Sequence, residues 1–532
     1  MKGFTFKRLE MMASALVFLL GMASPGRTLQ AEEQEGSPGS TLDISRMADL
    51  VVMANGRMKP LATHARESVR EFMGGMREFT ASPMAVYVSL LFEPQSWQQR
   101  KWIKAGQEIA NEMFQGRMLL SPADVVDAHK PLSILIRKSD SGGGTAKGMT
   151  LAEQAGHLLN CAFTFGEFEE ALRLLPAAGP DSDEWVSVKE MREARKQNIS
   201  SRFDDLFDAY SGLKAAYLAG DSAAFNNAVD RLLTVQRNAA GRSLLSKGRV
   251  SLENLYYAVD VRLVGLILFS LAGVFFIVSL FFGHPLFRRL ALAGILAGIA
   301  WNFWVIGGRT AIGERLPLKN LNEVFLVVLF FVPLIGQLLE RIFKNSLYVG
   351  VSALLSVVGY IGALNLDAKG FDITPLVAIL ISPWREIHIL TIMLSYAILL
   401  VSFGLDVGYL LLLFVKRMLS SDPDRRSSMG ATADDLHHKA YLVLAWGFLF
   451  LTVGITTGAA WAHSSWGRYW GWDPKEVWAT VAWAIYALFL HLRLFFKVPK
   501  AWLAVINLIG FAAIMFTYFG VTYLLSGLHA YR

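Results

Sequence analysis

The chain has 532 residues, 53% of them hydrophobic and only 18% charged, with a net charge of +7 spread along its length. That balance is too apolar for an ordinary soluble protein, and no dense basic run points to nucleic acid. The single cysteine, Cys161, excludes an intrachain disulfide framework and a thiolate metal cluster, and the absence of a CxxCH motif excludes a c-type cytochrome.

Lys2, Lys7 and Arg8 precede a short apolar run, Met11–Ala23. This reads as a signal peptide within residues 1–31, with cleavage after Ala23 or Ala31; an uncleaved anchor is the alternative. Residues 32–45, rich in Gly, Ser, Pro and Glu, read as a flexible lead-in. Residues 46–258 hold no spanning stretch but carry apolar residues at helical spacing, as in Leu151–Leu175 and Ser201–Val235, and predict a mostly helical domain. Its scattered His64, His129 and His157 read as ordinary core or surface histidines.

From residue 259 the character changes. A membrane span needs ~20 mostly apolar residues, and eight stretches meet this, at about 261–282, 287–305, 321–341, 347–365, 387–415, 440–461, 476–496 and 502–525. The predicted fold is an all-α polytopic membrane protein of about eight transmembrane helices. One set of connecting loops, with Arg288, Arg289, Arg341, Lys344, Arg425, Arg426, Lys497 and Lys500, is richer in cations than the other. The richer set is expected in the cytoplasm. The 46–258 domain, the 461–478 loop and the C-terminus then face outward, which makes the first domain extracytoplasmic.

The loop 461–478 reads WAHSSWGRYWGWDPKEVW. Trp461, Trp466, Trp470, Trp472 and Trp478 crowd it, with Asp473, Lys475 and Glu476 among them. So many indoles want a large flat apolar partner or the membrane interface, and the charges suggest a partner with a polar edge. A tetrapyrrole with its propionates has that shape. Asp473 followed by Pro474 is also ordinary helix-start chemistry, and Glu476 suits the first turn.

His388 begins the fifth span and His529 follows the eighth, both at the level of the Trp loop. Two imidazoles on opposite faces of a porphyrin would give bis-His iron ligation; each taken alone also reads as an interfacial hydrogen-bonding residue. His491 lies 15 residues beyond Glu476, hence about 22 Å along the same helix, in the inner half of the membrane. It is a candidate ligand for a second haem, with its opposite ligand from another subunit, or a residue snorkelling to the inner interface. His463 ranks below these. His437 and His438, beside Asp434 and Asp435, read as part of a solvated inner loop. Arg309, Arg315 and Lys319 are expected either to pair with propionates or to be plain interfacial charges.

WGRYWGWDPKEVWA resembles the WWD signature of haem-handling proteins, in the form found in the CcsA/ResC branch of system II cytochrome c biogenesis. LPLKNLNEVF, IHILTIMLSYA, YALFLHLR and GLHAYR agree, so the resemblance covers roughly 310–532. GRMKPLATHARE at 56–67 is similar, more weakly, to the extracytoplasmic region preceding the CcsA part of fused CcsBA proteins.

The resemblance implies that His388 and His529 are the axial pair of an outer haem b and His491 a ligand of an inner one. Trp466, Trp470, Trp472, Asp473, Glu476 and Trp478 then belong to the haem-binding loop. It implies a ResB/CcsB-like membrane subunit, apocytochromes c and the thiol-reducing proteins that keep their CxxCH motifs reduced as partners, beside membrane lipid, with no nucleic acid. The implied place is the inner (cytoplasmic) membrane. The implied activity is attachment of haem to apocytochrome c, as a holocytochrome c synthase acting together with that subunit. The alternatives are a haem exporter without ligase activity and a cytochrome b-like quinone redox protein.

Overall fold

The computed structural model describes residues 42–73, 82–139, 151–177, 184–197, 203–240, 244–376, 380–419 and 423–525. The expected signal segment, nearly all of the lead-in and His529 lie outside them. Chain contacts divide the protein into two units.

The first unit comprises the described residues from Leu42 to Ser246 apart from the turn 55–57. Strands β1 (Val51–Ala54) and β2 (Arg57–Pro60) are joined by Asn55-Gly56, both at positive φ, the dipeptide that tight hairpins favour. Helices α1 (Leu61–Met73), α2 (Pro83–Phe92) and α3 (Leu151–Gly166) follow. A second ribbon pairs β3 (Arg173–Pro176) with β4 (Trp185–Ser187), and α4 (Asp204–Ala219) turns at Gly220 into α5 (Ser222–Ala240). Phe72, Tyr87, Trp102, Phe165, Tyr217 and Phe225 fill one core. Buried Gln236 fastens α5 to two strands: its amide nitrogen donates to the carbonyls of Val51 (2.6 Å) and Leu174 (2.9 Å). Buried Lys59 pairs with Glu67 at 2.5 Å.

The second unit takes in the turn 55–57 and the chain from the helix Lys247–Ala258 onward, and among the described residues it holds eight helices long and apolar enough to cross a membrane. These are α6 (Val261–Phe282), α7 (Pro285–Gly313), α8 (Leu321–Phe343), α9 (Leu347–Asn365), α10 (Pro383–Leu419), α11 (Pro423–Trp466), α12 (Pro474–Phe495) and α13 (Lys500–Met515). The last continues through a π-turn, Phe516–Gly520, to Leu524. The chain is an all-α polytopic membrane protein. Inside hydrocarbon every polar group needs a partner within the protein. Asn302 shows how this is met: its amide nitrogen donates to the Leu329 carbonyl at 2.8 Å while its oxygen accepts from the Tyr360 hydroxyl, tying α7, α8 and α9 together.

The fifth and sixth spans depart from the sequence reading. Residues 416–419 and 423–439, expected as inner loop, are helical, so α10 and α11 run well past the apolar stretch as one long antiparallel pair. Pro423 stands at the first position of α11, and Lys439 pairs with Asp435 one turn away. The solvated reading of His437 is wrong. It is fully buried, with Nδ1 2.7 Å from Oδ1 of Asp406 on α10.

One consequence for the first unit concerns His64. Burial, reinforced by nearby Lys59, lowers its pKa from 6.5 to about 3. The folded protein therefore holds it neutral, whereas the unfolded chain takes up a proton below pH 6.5. Stability from this residue is complete above pH 6.5 and falls as the pH drops toward 3. Unfolding midpoints followed by circular dichroism should fall more steeply with acid in the parent than in His64→Gln.

Candidate functional site

At the end of the bundle that carries the Trp loop lies a cavity of about 220 Å3. Its walls come from α8, α10, α11, α12 and the π-turn after α13. His388, Trp461, Trp470 and Tyr518 face it, with Lys319, Arg385, Lys475 and Glu476 as charged groups. Three cations and one carboxylate thus border a mostly apolar cavity.

His388 sits one turn into α10. Its Nδ1 lies 2.7 Å from the Gly454 carbonyl on α11. A carbonyl only accepts, so Nδ1 carries the proton, and in the neutral imidazole Nε2 is the acceptor nitrogen. A backbone carbonyl on one ring nitrogen fixes the orientation and tautomer of a neutral imidazole. Trp461 stacks on the ring at a centroid distance of 6.0 Å, inclined by 24°. A Cβ on Gly458 would come within 2.7 Å of the imidazole, so only glycine lets the ring lie against α11 there.

The Trp loop is held by its own helix start. Asp473 caps α12 and forms a capping box with Glu476, whose carboxylate accepts from the backbone nitrogens of Gly471 (2.8 Å) and Asp473 (3.1 Å). Both acids thus do structural duty, and Glu476 also borders the cavity. Trp470 lines the cavity and meets Trp472 edge to face at 6.1 Å. Trp466 packs on Trp461 at 5.1 Å, and Trp478 on Phe516 at 4.2 Å. Trp472 is 78% exposed at a φ of 57°, an uncommon combination for a large side chain. His463 is exposed and stacks on Tyr469 at 4.2 Å.

Of the residues expected at the site, His388, Trp470 and Glu476 line the cavity; Trp466 and Trp472 pack on the lining residues Trp461 and Trp470, Asp473 caps the helix that carries Glu476, and Trp478 packs on Phe516. His491 is elsewhere. It lies on an exposed face of α12, its Nδ1 donating to the Ala487 carbonyl at 2.8 Å. His529 is outside the described residues.

Arg309 and Arg315 do not line the cavity. Both are committed to Glu323, which is 1% exposed: Arg309 at 2.9 Å and Arg315 bidentate at 2.8 and 2.9 Å. Their expected pairing with propionates gives way to this internal cluster, which fastens the segment 314–320 to α8. The Arg309 and Arg315 guanidiniums also donate to the carbonyls of Phe371 and Thr374. Lys319 does reach the cavity; burial and the adjacent Arg315 push its ammonium below the usual lysine range, against the opposing pull of Glu323. Arg385 and Tyr518 were not singled out from the sequence. Arg385 precedes His388 by three residues and so shares its helix face, a usable signal. Tyr518 reaches the site through the π-turn, its hydroxyl donating to the Leu321 carbonyl at 2.7 Å, and no pattern announced that.

The fold defines a multi-pass membrane protein, with an aromatic-walled, histidine-bearing cavity at one end of its bundle. Residues 318–529, which contain all of those lining residues, match the family described as Cytochrome C assembly protein. The cytochrome c biogenesis protein CcsA of Trieres chinensis is 30% identical over 301 residues, covering 50% of this chain and 94% of that protein. CcsA of Guillardia theta is 31% identical over 248 residues, 43% of this chain and 80% of that protein. Protein NrfI of Wolinella succinogenes is 26% identical over 525 residues; that alignment takes in 94% of this chain and 56% of NrfI. The chain belongs to the CcsA family of cytochrome c biogenesis proteins, and its role lies in cytochrome c biogenesis.

The Glu323 cluster should be indispensable to the site's frame. Glu323→Ala leaves two buried guanidiniums without their carboxylate, at a cost of about 3–5 kcal/mol. We expect a marked loss of folded protein in detergent, read by size-exclusion yield and melting temperature, with Glu323→Asp less affected. An unchanged melting temperature in Glu323→Ala would contradict the assignment.

Proposed function

We propose that the cavity holds haem b and that His388 is one axial ligand of its iron. The observation that carries this reading is the Nδ1–H bond from His388 to the Gly454 carbonyl, which leaves Nε2 as the acceptor nitrogen in a cavity walled by Trp461 and Trp470. Lys319, Arg385 and Lys475 suit the propionates. Enclosed small-molecule sites measure roughly 300–1,000 Å3. The cavity, about 220 Å3, is smaller than that, so in this reading it takes only part of the macrocycle and the other edge lies toward the Trp loop. His529 is the proposed second ligand.

In this reading haem b is the cargo, and the chain's contribution is orientation, desolvation and fixed ligation. The two thiols of an apocytochrome CxxCH motif add S–H across the two vinyl groups, each forming one thioether and placing its hydrogen on the former vinyl carbon. No side chain of this protein need act as nucleophile. The cytoplasmic-membrane location, with the Trp loop and the first unit on the extracytoplasmic side, follows the loop-charge bias and belongs to the proposal. A ResB-like subunit is proposed to supply a ligand opposite His491; the exposure of His491 on α12 supports a ligand arriving from outside the bundle.

The test is co-expression with a ResB-like partner and an apocytochrome bearing CxxCH, scored by covalently attached haem on denaturing gels. We expect His388→Ala and the His388→Ala/His529→Ala pair to reduce covalent product at least tenfold at equal membrane levels of the protein. Unchanged product would overturn the ligand assignment. Haem export without ligation would appear as haem delivered outside the cytoplasm but attached only when a separate ligase is present.

A further inference from the structure

Three side chains of α10 cross to α11 in strict sequence register. His388 Nδ1 donates to the Gly454 carbonyl at 2.7 Å, Ser395 Oγ to the Gly447 carbonyl at 2.8 Å, and Ser402 Oγ to the Ala440 carbonyl at 2.9 Å. Each step of seven residues along α10 is met by seven residues back along α11. Seven residues are two turns of a gently supercoiled helix pair, so the donors lie on one seam. The acceptors are small residues that let the backbones close. A Cβ on Gly447 would fall 2.6 Å from Leu399, and one on Gly454 2.5 Å from Ile392. Ser395 and Ser402 are wholly buried.

The seam ends in a polar knot. Asp406 accepts from Asn507 of α13 at 2.7 Å and meets His437 of α11 at 2.7 Å, while Asn507 also donates to Ser402 Oγ at 3.0 Å. Tyr409 packs beside His437, with ring centroids 5.0 Å apart. All members of the knot except Tyr409 are fully buried, at about 27 Å from His388 along α10. Ionisable groups buried this fully are costly unless paired, and here the pairing ties α10 to α11 and α13.

We propose that this ladder is the device that holds the His388 imidazole: Ser395 and Ser402 are positioning residues, Asp406, His437 and Asn507 fix the register of the helix pair, and His388 is the terminal rung. A slide of α10 against α11 would break all three crossings together. The ladder thus converts a buried polar knot into a fixed height and a fixed tautomer for one imidazole. The functional part of this inference rests on the reading of His388 as a ligand; the register and the tautomer do not.

The experiment uses the full-length protein in detergent, with and without added haem b. Without haem, ¹⁵N shifts of ring-labelled histidine report the His388 tautomer, assigned by loss of its signal in His388→Ala. We expect the Nδ1–H form in the parent, a tautomer mixture in Ser395→Ala and in Ser395→Ala/Ser402→Ala, and recovery of the parent form in Ser395→Thr. With haem, the ratio of six-coordinate low-spin iron to all other iron should fall about threefold for each hydroxyl removed, the effect of one ordinary interhelical hydrogen bond. If the double variant does not accumulate, the single Ser395→Ala and Ser402→Ala variants carry the comparison. A parent-like tautomer and parent-like ligation in the serine variants, alongside lost ligation in His388→Ala, would overturn the ladder. Ligation that persists in His388→Ala would instead overturn the ligand reading and leave the tautomer measurement to decide the ladder.

Discussion

The antiparallel pairing of α10 and α11 is the constraint on which the site depends. Both helices extend beyond the apolar core, and between them they supply His388, Arg385, Tyr396, Gly458 and Trp461 to one cavity. Apolar packing alone sets such a pair poorly, because lipid tails are as apolar as leucine. Buried polar crossings are directional and do discriminate between registers. In this protein they occur at regular intervals and end at the imidazole that borders the cavity.

A second economy lies in the Trp loop. Asp473 and Glu476 use their carboxylates to start α12, satisfying backbone nitrogens that would otherwise point unpaired into a crowded aromatic loop. That anchoring lets the loop hold Trp472 exposed at a strained backbone angle. Behind it, the Glu323 cluster absorbs two arginines and stiffens the segment that carries Leu318, Lys319 and Asn320 to the cavity. Local cap chemistry and a buried charge cluster thus support the aromatic wall from two sides.

Much of this was legible in the sequence, because the signals were local. Eight apolar stretches, the Asp-Pro start of α12 and the Trp cluster each sit within one window of the chain, and each has its counterpart in the structure. His388 was legible as a candidate from its level in the membrane. The rest depended on contacts between distant residues. His437 looked solvated among aspartates, yet Asp406, 31 residues earlier, takes it into the core. Glu323 claims Arg309 and Arg315 across a helix end, and Tyr518 is turned inward by one π-turn that no apolar period encodes. The inner ends of α10 and α11 were missed because charged residues were read as loop, although charged helices continue readily into water.

The measurement that bears most directly on the proposed haem site is near-infrared magnetic circular dichroism of the oxidised, haem-loaded protein, compared between the parent and His388→Ala. The account predicts low-spin bis-imidazole ligation in the parent, replaced in the variant by single-imidazole or high-spin iron at the site by the Trp loop. Identical spectra and equal haem content in the two proteins would contradict it.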